Sequence, residues 1–481
     1  MYNTRIHRRR FIKSTLAGTF ALQFSGCSRM VTAKPNLVYV FADQWRAQDT
    51  GYAGNTQVKT PNLDKLAARS VNFSTAVSGC PVCSPYRASL MTGQYWLTHG
   101  IFHNDKPLKT EALCIAEVFK QQGYDTGYIG KWHLNGDDEP GYEKGRRSPV
   151  PKERRQGFDF WKVRECTHDY NQSFYFDEND ERQAWEGYDA IAQTRMANQY
   201  IKEHADGKPF VLFLSWGPPH APYQTAPPQY RALYKPGDIV TRENVPDDLA
   251  DKARLDIAGY YAHMTALDDC MAQIMDTLHT TGLERHTILV FTSDHGDMLY
   301  SHAQTKKQQP WDESIRVPFL LRYPAVLGDR GREIDMPINT PDIMPTLLGL
   351  CKIPVPDSVE GTDYSPVIRG EREPDNEAAL IECPVPFHQW GYAHGGREYR
   401  GLRTRRYTYV RDLKGPWLLF DNDADPYQVT NLVNVPAARD LQDHLDALLQ
   451  TLLKERKDEF LPGPVYMRKW EYDWDGEDGK K

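Results

Sequence analysis

Continuous apolar runs alternate with helix-patterned stretches along most of the chain. "NLVYVFADQ" (36–44), "KPFVLFLSWGPPHAPY" (208–223) and "HTILVFTSDHGD" (286–297) read as buried strands with their exit loops. "DTGYIGKWHL" (125–134) reads as a fourth. Between them, "TPNLDKLAARSVNF" (60–73) predicts a helix leading into a short strand, and "EALCIAEVFKQQG" (111–123) a helix ended by glycine. "DIAGYYAHMTALDDCMAQIMDTLHTTG" (256–282) predicts a long helix. Strands that are apolar on both faces and alternate with helices predict an α/β fold, with a large, mostly parallel sheet covered by helices on both sides. This region runs over about 35–374. After about 375 the pattern changes. "YRGLRTRRYTYVRDLKGPWLLFDNDADPYQVTNL" (399–432) predicts an antiparallel hairpin and "PAARDLQDHLDALLQTLLKERKDE" (436–459) an amphipathic helix. The expectation is a smaller C-terminal α+β subdomain over 375–462, carrying an antiparallel sheet. The tail, 463–481, ends in "YMRKWEYDWDGEDGKK" and is expected to be extended or mobile. The stretch 135–156 reads as a polar surface insertion.

The first 27 residues, "MYNTRIHRRRFIKSTLAGTFALQFSGC", do not fit this alternation. A basic stretch precedes a modest apolar run, as in an export signal. "RRRFIK" looks like a twin-arginine signal, and "FSGC" resembles a lipoprotein cleavage box, which makes Cys27 a candidate for lipid attachment and a membrane tether. Plain cleavage near that point is the alternative. The expected location is outside the cytoplasm, periplasmic or lipid-anchored at the cell envelope. Of 58 Lys and Arg residues, five (Arg5, Arg8, Arg9, Arg10 and Lys13) lie in this leader, leaving 53 against 65 acidic residues, a net charge of −12. A chain this acidic is not expected to bind nucleic acid. If it acts on an anion, its positive charge must be gathered in a pocket.

Four predicted strands end in reactive side chains. The first ends at Asp43 and Gln44, the next at Lys131 and His133, another runs into His220, and the last ends at Asp294 and His295 with Lys307 beyond. Open α/β sheets bind ligands beyond the carboxyl ends of their strands. Asp43, Gln44 and Asp294 offer oxygen to a hard divalent cation, Ca²⁺ or alternatively Mg²⁺. Each feature alone has a plainer reading: Asp43 as a cap, "SDHGD" as an Asx turn.

Seven cysteines beyond Cys27 are scattered, which is no disulfide scaffold, although an exported chain can form one or two bridges. "GCPVCSPYRASLMTG" (79–93) places Cys80 and Cys83 three apart. A redox pair fits that spacing. A zinc site would want a second such pair or a His pair, and none is present. The third reading is Cys83-Ser84-Pro85-Tyr86-Arg87, whose C-x-P-x-R string resembles the sulfatase signature. "FADQWR", "CSPYRASLMTG", "GKWHL", "PPHAPY", and "TSDHGD" with Lys307 and "WDESIRVP" all occur in that family's order. From about 35 to 460 the chain resembles a type I sulfatase of the alkaline phosphatase superfamily.

The resemblance implies an alkaline phosphatase-like fold and a sulfuric ester hydrolase. It implies that a formylglycine-generating maturation enzyme converts Cys83 to formylglycine (3-oxoalanine). The aldehyde hydrates to a geminal diol; one hydroxyl attacks sulfur and the other later expels sulfate. The implied metal ligands are Asp43, Gln44, Asp294, His295 and residue 83. Arg87 is implied to hold the diol, Lys131 and Lys307 to clamp sulfate, and His133 to act as the base that collapses the diol. His220 is implied to bind sulfate and, with Lys307, to protonate the leaving group. Gln44 stands where many members have a second Asp, and His295 where many have Asn, which weakens the case for Ca²⁺. Candidate substrate contacts are His103, Asn104 and Asp105 in "GIFHND", and His388, Trp390, His394 and Arg397 in "FHQWGYAHGGR"; loop packing is the plainer reading of each. Export, a possible tether and a 12% aromatic content favour a sulfated carbohydrate or polysaccharide. The competing readings are a phosphodiester or phosphonate monoester hydrolase of the same superfamily, a non-catalytic surface glycan-binding protein, and a redox protein with a reversible Cys80–Cys83 disulfide.

Overall fold

Residues 36–43 are buried along their whole length, and successive side chains go to opposite faces of the sheet. Leu37, Tyr39 and Phe41 enter one apolar core, and Val38, Val40 and Ala42 the other. This strand is the centre of a computed structural model that describes residues 34–104, 106–136 and 145–472. The export signal, Cys27 and the candidate Asp105 lie outside the described residues.

In chain order the main sheet contains β1 (Asn36–Asp43), β2 (Val71–Phe73), β3 (Asp125–Lys131), β4 (Phe160–Arg164) and β5 (Phe174–Phe176). It continues with β6 (Arg182–Ala184), β7 (Phe210–Pro219), β8 (Thr287–Ser293), β9 (Phe319–Arg322) and β10 (Arg332–Ile334). Across the sheet the order is β10-β2-β9-β8-β1-β7-β3-β4-β5-β6. The middle five, β8-β1-β7-β3-β4, are mutually parallel, so their reactive carboxyl ends share one edge. Helices Asp189–Glu203 and Ala250–Thr280 cover one face, and Cys83–Thr92, Ile115–Gln121 and Thr340–Leu350 the other. This is the alkaline phosphatase-like α/β arrangement expected. The predicted helix at 111–123 begins only at Ile115, because Glu117 reaches back to accept from the Cys114 N–H at 2.8 Å and caps the helix there.

The C-terminal sheet has four antiparallel strands, β11 (Ala378–Cys383), β12 (Tyr399–Thr404), β13 (Tyr407–Asp412) and β14 (Gly415–Asp421), in that order. The stretch read as one hairpin therefore holds three strands, because Gly415, at φ 132°, admits a second tight reversal. One face packs Leu380, Leu402, Tyr409 and Leu419 under Leu445, Leu449 and Leu453 of helix Arg439–Glu455. The other face carries Ile381, Tyr399 and Val410 onto Val77 and Ile315 of the larger part.

Two expectations are corrected. The tail is not extended over its first part: Gly463–Lys469 is a helix, and Tyr466 and Met467 bury against Trp96 and Phe102. The polar insertion is not wholly superficial: Val150, Arg155 and Gln156 are buried, and Arg155 donates from Nε to the Val150 carbonyl at 3.1 Å. The seven described cysteines are free thiols.

Arg400 of β12 joins these parts. It is fully buried, donates to Asp458, lies 3.6 Å from Glu382, and sits over the rings of Trp96, Phe460 and Tyr466. Trp96 Nε1 donates to Glu382 at 3.0 Å, and the Tyr466 hydroxyl donates to Asp458 at 2.6 Å. Removing the cation leaves two buried carboxylates without it. Arg400→Ala is therefore expected to lower stability by about 3–5 kcal/mol, read as a fall in the urea midpoint. An unchanged midpoint would show that the network contributes nothing.

Candidate active site

Pro85 explains why a helix begins at Cys83. It falls in the first turn, where its missing N–H has no intrahelical partner to lose. The neighbouring Ser84 N–H donates to Asn104 Oδ1 at 3.2 Å, and Ser84 Oγ donates to the His133 carbonyl at 2.8 Å. Cys83 is thus held at the helix N-terminus, almost completely buried, facing the edge where β1, β3 and β8 end.

Asp43, Cys83, Asp294 and His295 bring one ligand atom each to within 4.8 Å of one another. Asp294 is fixed first. Its Oδ1 accepts from the Gln44 N–H at 3.0 Å, and its Oδ2 from Arg87 Nη2 at 3.1 Å. The first bond requires Gln44 to take φ 74°, a left-handed conformation that is uncommon for this residue type. The His295 Nδ1–H donates to the Gly296 carbonyl at 3.0 Å, which leaves the Nε2 lone pair facing the carboxylates, 3.4 Å from both Asp43 Oδ1 and Asp294 Oδ1.

Gln44 is oriented just as firmly. Its amide nitrogen donates to Asp297 Oδ2 at 2.7 Å. Asp297 also accepts from the Tyr223 hydroxyl at 2.5 Å and from the N–H groups of Leu299 and Lys306 at 3.0 and 3.1 Å. That carboxylate is saturated with donors, so the Gln44 amide oxygen must point away from it. Gln44 Oε1 is buried and has no hydrogen-bond partner. An orphaned oxygen, two carboxylates and an imidazole nitrogen turned inward form a donor set that fits a divalent cation.

Two lysines close on the same point. Lys307 Nζ lies 3.0 Å from Cys83 Sγ, and Lys131 Nζ lies 3.6 Å from it and 2.5 Å from Asp43 Oδ2. Burial and the Asp43 charge push the Cys83 thiol up, but Lys131, Lys307 and His295 outweigh them and hold it well below the ordinary thiol range. Burial likewise opposes the Asp43 charge, yet Lys131, His220, Lys307 and His295 keep that carboxyl well below its usual value. His220 donates from Nδ1 to the Ala221 carbonyl at 2.8 Å; burial first, then Lys307, hold it well below the usual imidazole range. His133 is buried beside these groups at φ 58°, its N–H donating to the Glu165 carbonyl at 2.8 Å. Arg87 lies one turn along the helix from Cys83, but its donors go to Asp294, the Lys131 carbonyl at 2.7 Å and Ser215 at 2.8 Å. It ties strand ends together, and its Nε is buried without a hydrogen-bond partner.

The candidate substrate contacts separate. His103 stacks on Phe387 with ring centroids 3.8 Å apart, and Gln389 donates to the Lys307 carbonyl at 3.0 Å, which brings the His388 loop onto the Lys307 segment. Asn104 caps the helix of Cys83. Trp390 is not available to a sugar: it is buried in the core under the C-terminal sheet, edge-on to Trp311. Arg397 pairs with Asp412 at 3.0 Å and covers Trp417, with its side chain still partly exposed. His394 is exposed in a short turn, Tyr392–His394. Sequence reasoning missed Asp297, although it closes the quoted "SDHGD". It also missed His168, whose exposed ring stacks on His220 at 4.5 Å, because "ECTHDY" carries no signature of its own.

Similarity to known proteins agrees with this geometry. Residues 35–353 match the sulfatase family, and residues 301–455 match the C-terminal region of N-sulphoglucosamine sulphohydrolase. An ulvan-active sulfatase of Formosa agariphila is 45% identical over 91% of this chain and 85% of its own length. An endo-4-O-sulfatase of Bacteroides thetaiotaomicron is 31% identical over 88% of this chain and 92% of its own. A solved structure from work on the metabolism of multiple glycosaminoglycans by the same bacterium superposes with a TM-score of 0.79, at 30% identity, over 91% of this chain and 99% of that one. The chain belongs to the sulfatase family, and is a sulfuric ester hydrolase.

Proposed function

We propose that the chain is an exported sulfatase that removes sulfate monoesters from a sulfated polysaccharide, with residue 83, as formylglycine, the nucleophile. The observation that carries this reading is the convergence of Lys307, Lys131 and the cation-fitting donors on one buried atom, Cys83 Sγ. That sulfur stands where an oxygen of the matured residue would sit. The substrate class is supported by the relatives' names, an ulvan-active sulfatase and an endo-4-O-sulfatase.

A sulfate monoester is anionic, so its approach and the transition state need positive charge already in place. Lys131 and Lys307 supply it. Asp43, Gln44 Oε1, Asp294 and His295 would hold a divalent cation, Ca²⁺ or Mg²⁺, which when bound adds Lewis-acid charge against the sulfate and the nucleophile. His220 turns Nε2 to the site because Nδ1 is committed to the Ala221 carbonyl; it takes up a proton at Nε2 as the anionic ester binds, and shares proton delivery to the leaving oxygen with Lys307. His133 serves as the base at residue 83. Arg87 acts indirectly, by holding Asp294 and the end of β3.

Two measurements test the reading. The full chain, co-produced with a formylglycine-generating enzyme, is expected to release sulfate from sulfated polysaccharides, and Cys83→Ala to release none. No release from chain whose peptide mass confirms the aldehyde, with turnover of a phosphodiester or phosphonate monoester instead, would move the assignment to that chemistry. The ligand set is tested by calorimetric titration of Ca²⁺ and Mg²⁺ into chelator-stripped protein. Asp297→Asn, which frees the Gln44 amide to rotate, is expected to weaken binding about 10–100-fold. Unchanged affinity would remove Gln44 from the ligands.

A further inference from the structure

Beside the site, at the β6 edge of the sheet, Phe174 lies between two guanidinium groups. Arg164 of β4 sits 4.0 Å from its ring centroid and Arg182 of β6 sits 3.8 Å from it. Neither guanidinium makes an ion pair or donates a hydrogen bond among the described residues, and Arg164 Nε is buried without a partner. Asp169 and Asp189 act on Arg164 through space, yet neither reaches ion-pair distance. Burial first, and then the charges of Arg147 and Arg182, press the Arg164 guanidinium below its ordinary value. Two adjacent cations in an acidic protein, with no carboxylate at ion-pair distance among the described residues, carry a local positive charge that an external anion would neutralise.

Their position gives that anion a meaning. Arg164 is the register partner of Lys131 on the adjoining parallel strand, and both line one small cavity with Thr167, Ser173 and Gly217. The loop leaving β4 carries His168, which stacks on His220. Between β3, which holds Lys131, and β6, which holds Arg182, there are three strand spacings, about 14 Å. A glycan with its reacting sulfate at Lys131 and Lys307 can therefore span to the arginines within a short oligosaccharide. An aromatic ring gripped by two planar cations also fixes their forks, and so lowers the ordering cost of binding.

We propose that Arg164 and Arg182, held on the two faces of Phe174, form a subsite for a second anionic group, a sulfate or a carboxylate, on the same glycan chain. The subsite makes the enzyme prefer densely charged polymers over singly sulfated fragments. This rests on the polysaccharide reading above, and the two can fail separately.

Binding is measured on the full chain carrying Cys83→Ala, by affinity electrophoresis in gels containing dextran sulfate or, in parallel, polygalacturonate. Arg182→Glu and Arg164→Gln are each expected to weaken retention by about tenfold in at least one of the two gels, and the gel affected tells sulfate from carboxylate recognition. Arg195→Glu, at an exposed position of helix Asp189–Glu203, is the control and is expected to shift retention by no more than about twofold. In the matured enzyme, Arg182→Glu is expected to raise KM for the polymer and leave turnover of a monosulfated sugar unchanged. Retention unaffected by both arginine variants, or lowered equally by Arg195→Glu, overturns the subsite whatever the hydrolysis assay gives. An absence of sulfate release with arginine-dependent retention sinks the sulfatase reading alone.

Discussion

Two carboxylates, Asp43 and Asp294, are buried at the ends of adjacent parallel strands, and the rest of the site follows from how they are held. Buried charges are tolerated only when paired and hydrogen-bonded. Arg87, Lys131 and the Gln44 N–H provide that pairing. Each of these groups comes from a different segment, so satisfying the carboxylates draws the helix of Cys83, the exit of β3 and the end of β1 to one point. The left-handed turn at Gln44 follows from the same demand. At Cys83 the charges of Lys131, Lys307 and His295 then outweigh both burial and the Asp43 carboxylate, inside a protein whose overall charge is negative.

Orientation is controlled one layer out. Asp297 decides which end of the Gln44 amide faces inward, the Gly296 carbonyl decides which nitrogen of His295 does, and the Ala221 carbonyl does the same for His220. Backbone carbonyls and saturated carboxylates do not reorient when a ligand arrives. The reacting groups therefore pay little reorganisation on binding, which is what electrostatic stabilisation of a transition state requires.

The main sheet and the central site were legible in the sequence because strand ends are local. Asp43 and Gln44, Lys131 and His133, and Asp294 and His295 each sit directly after an apolar run, so one pattern located both strand and side chain. Strands β4, β5 and β6 were not legible. They are short strands toward one side of the sheet, with mixed patterns, and their pairing is set by what they pack against. The arginines flanking Phe174 are adjacent only through that pairing. Trp390 misled for the opposite reason: an aromatic in a loop-like stretch resembles a sugar contact, and only the tertiary fold shows that it fills a core. The tail was misread because its polar end masked the spacing of Tyr466, Met467 and Trp470, which dock as one face.

That docked tail bears on timing. The hydroxyl of Tyr472 donates to the Gly100 carbonyl across 372 residues of sequence, and the tail helix closes over Trp96, four residues after the end of the nucleophile helix. A contact of such separation cannot form until the chain as far as residue 472 has left the ribosome. Until then the segment around Cys83 lacks its final cover. The stretch that follows the nucleophile helix is therefore sealed by residues made more than 360 positions later.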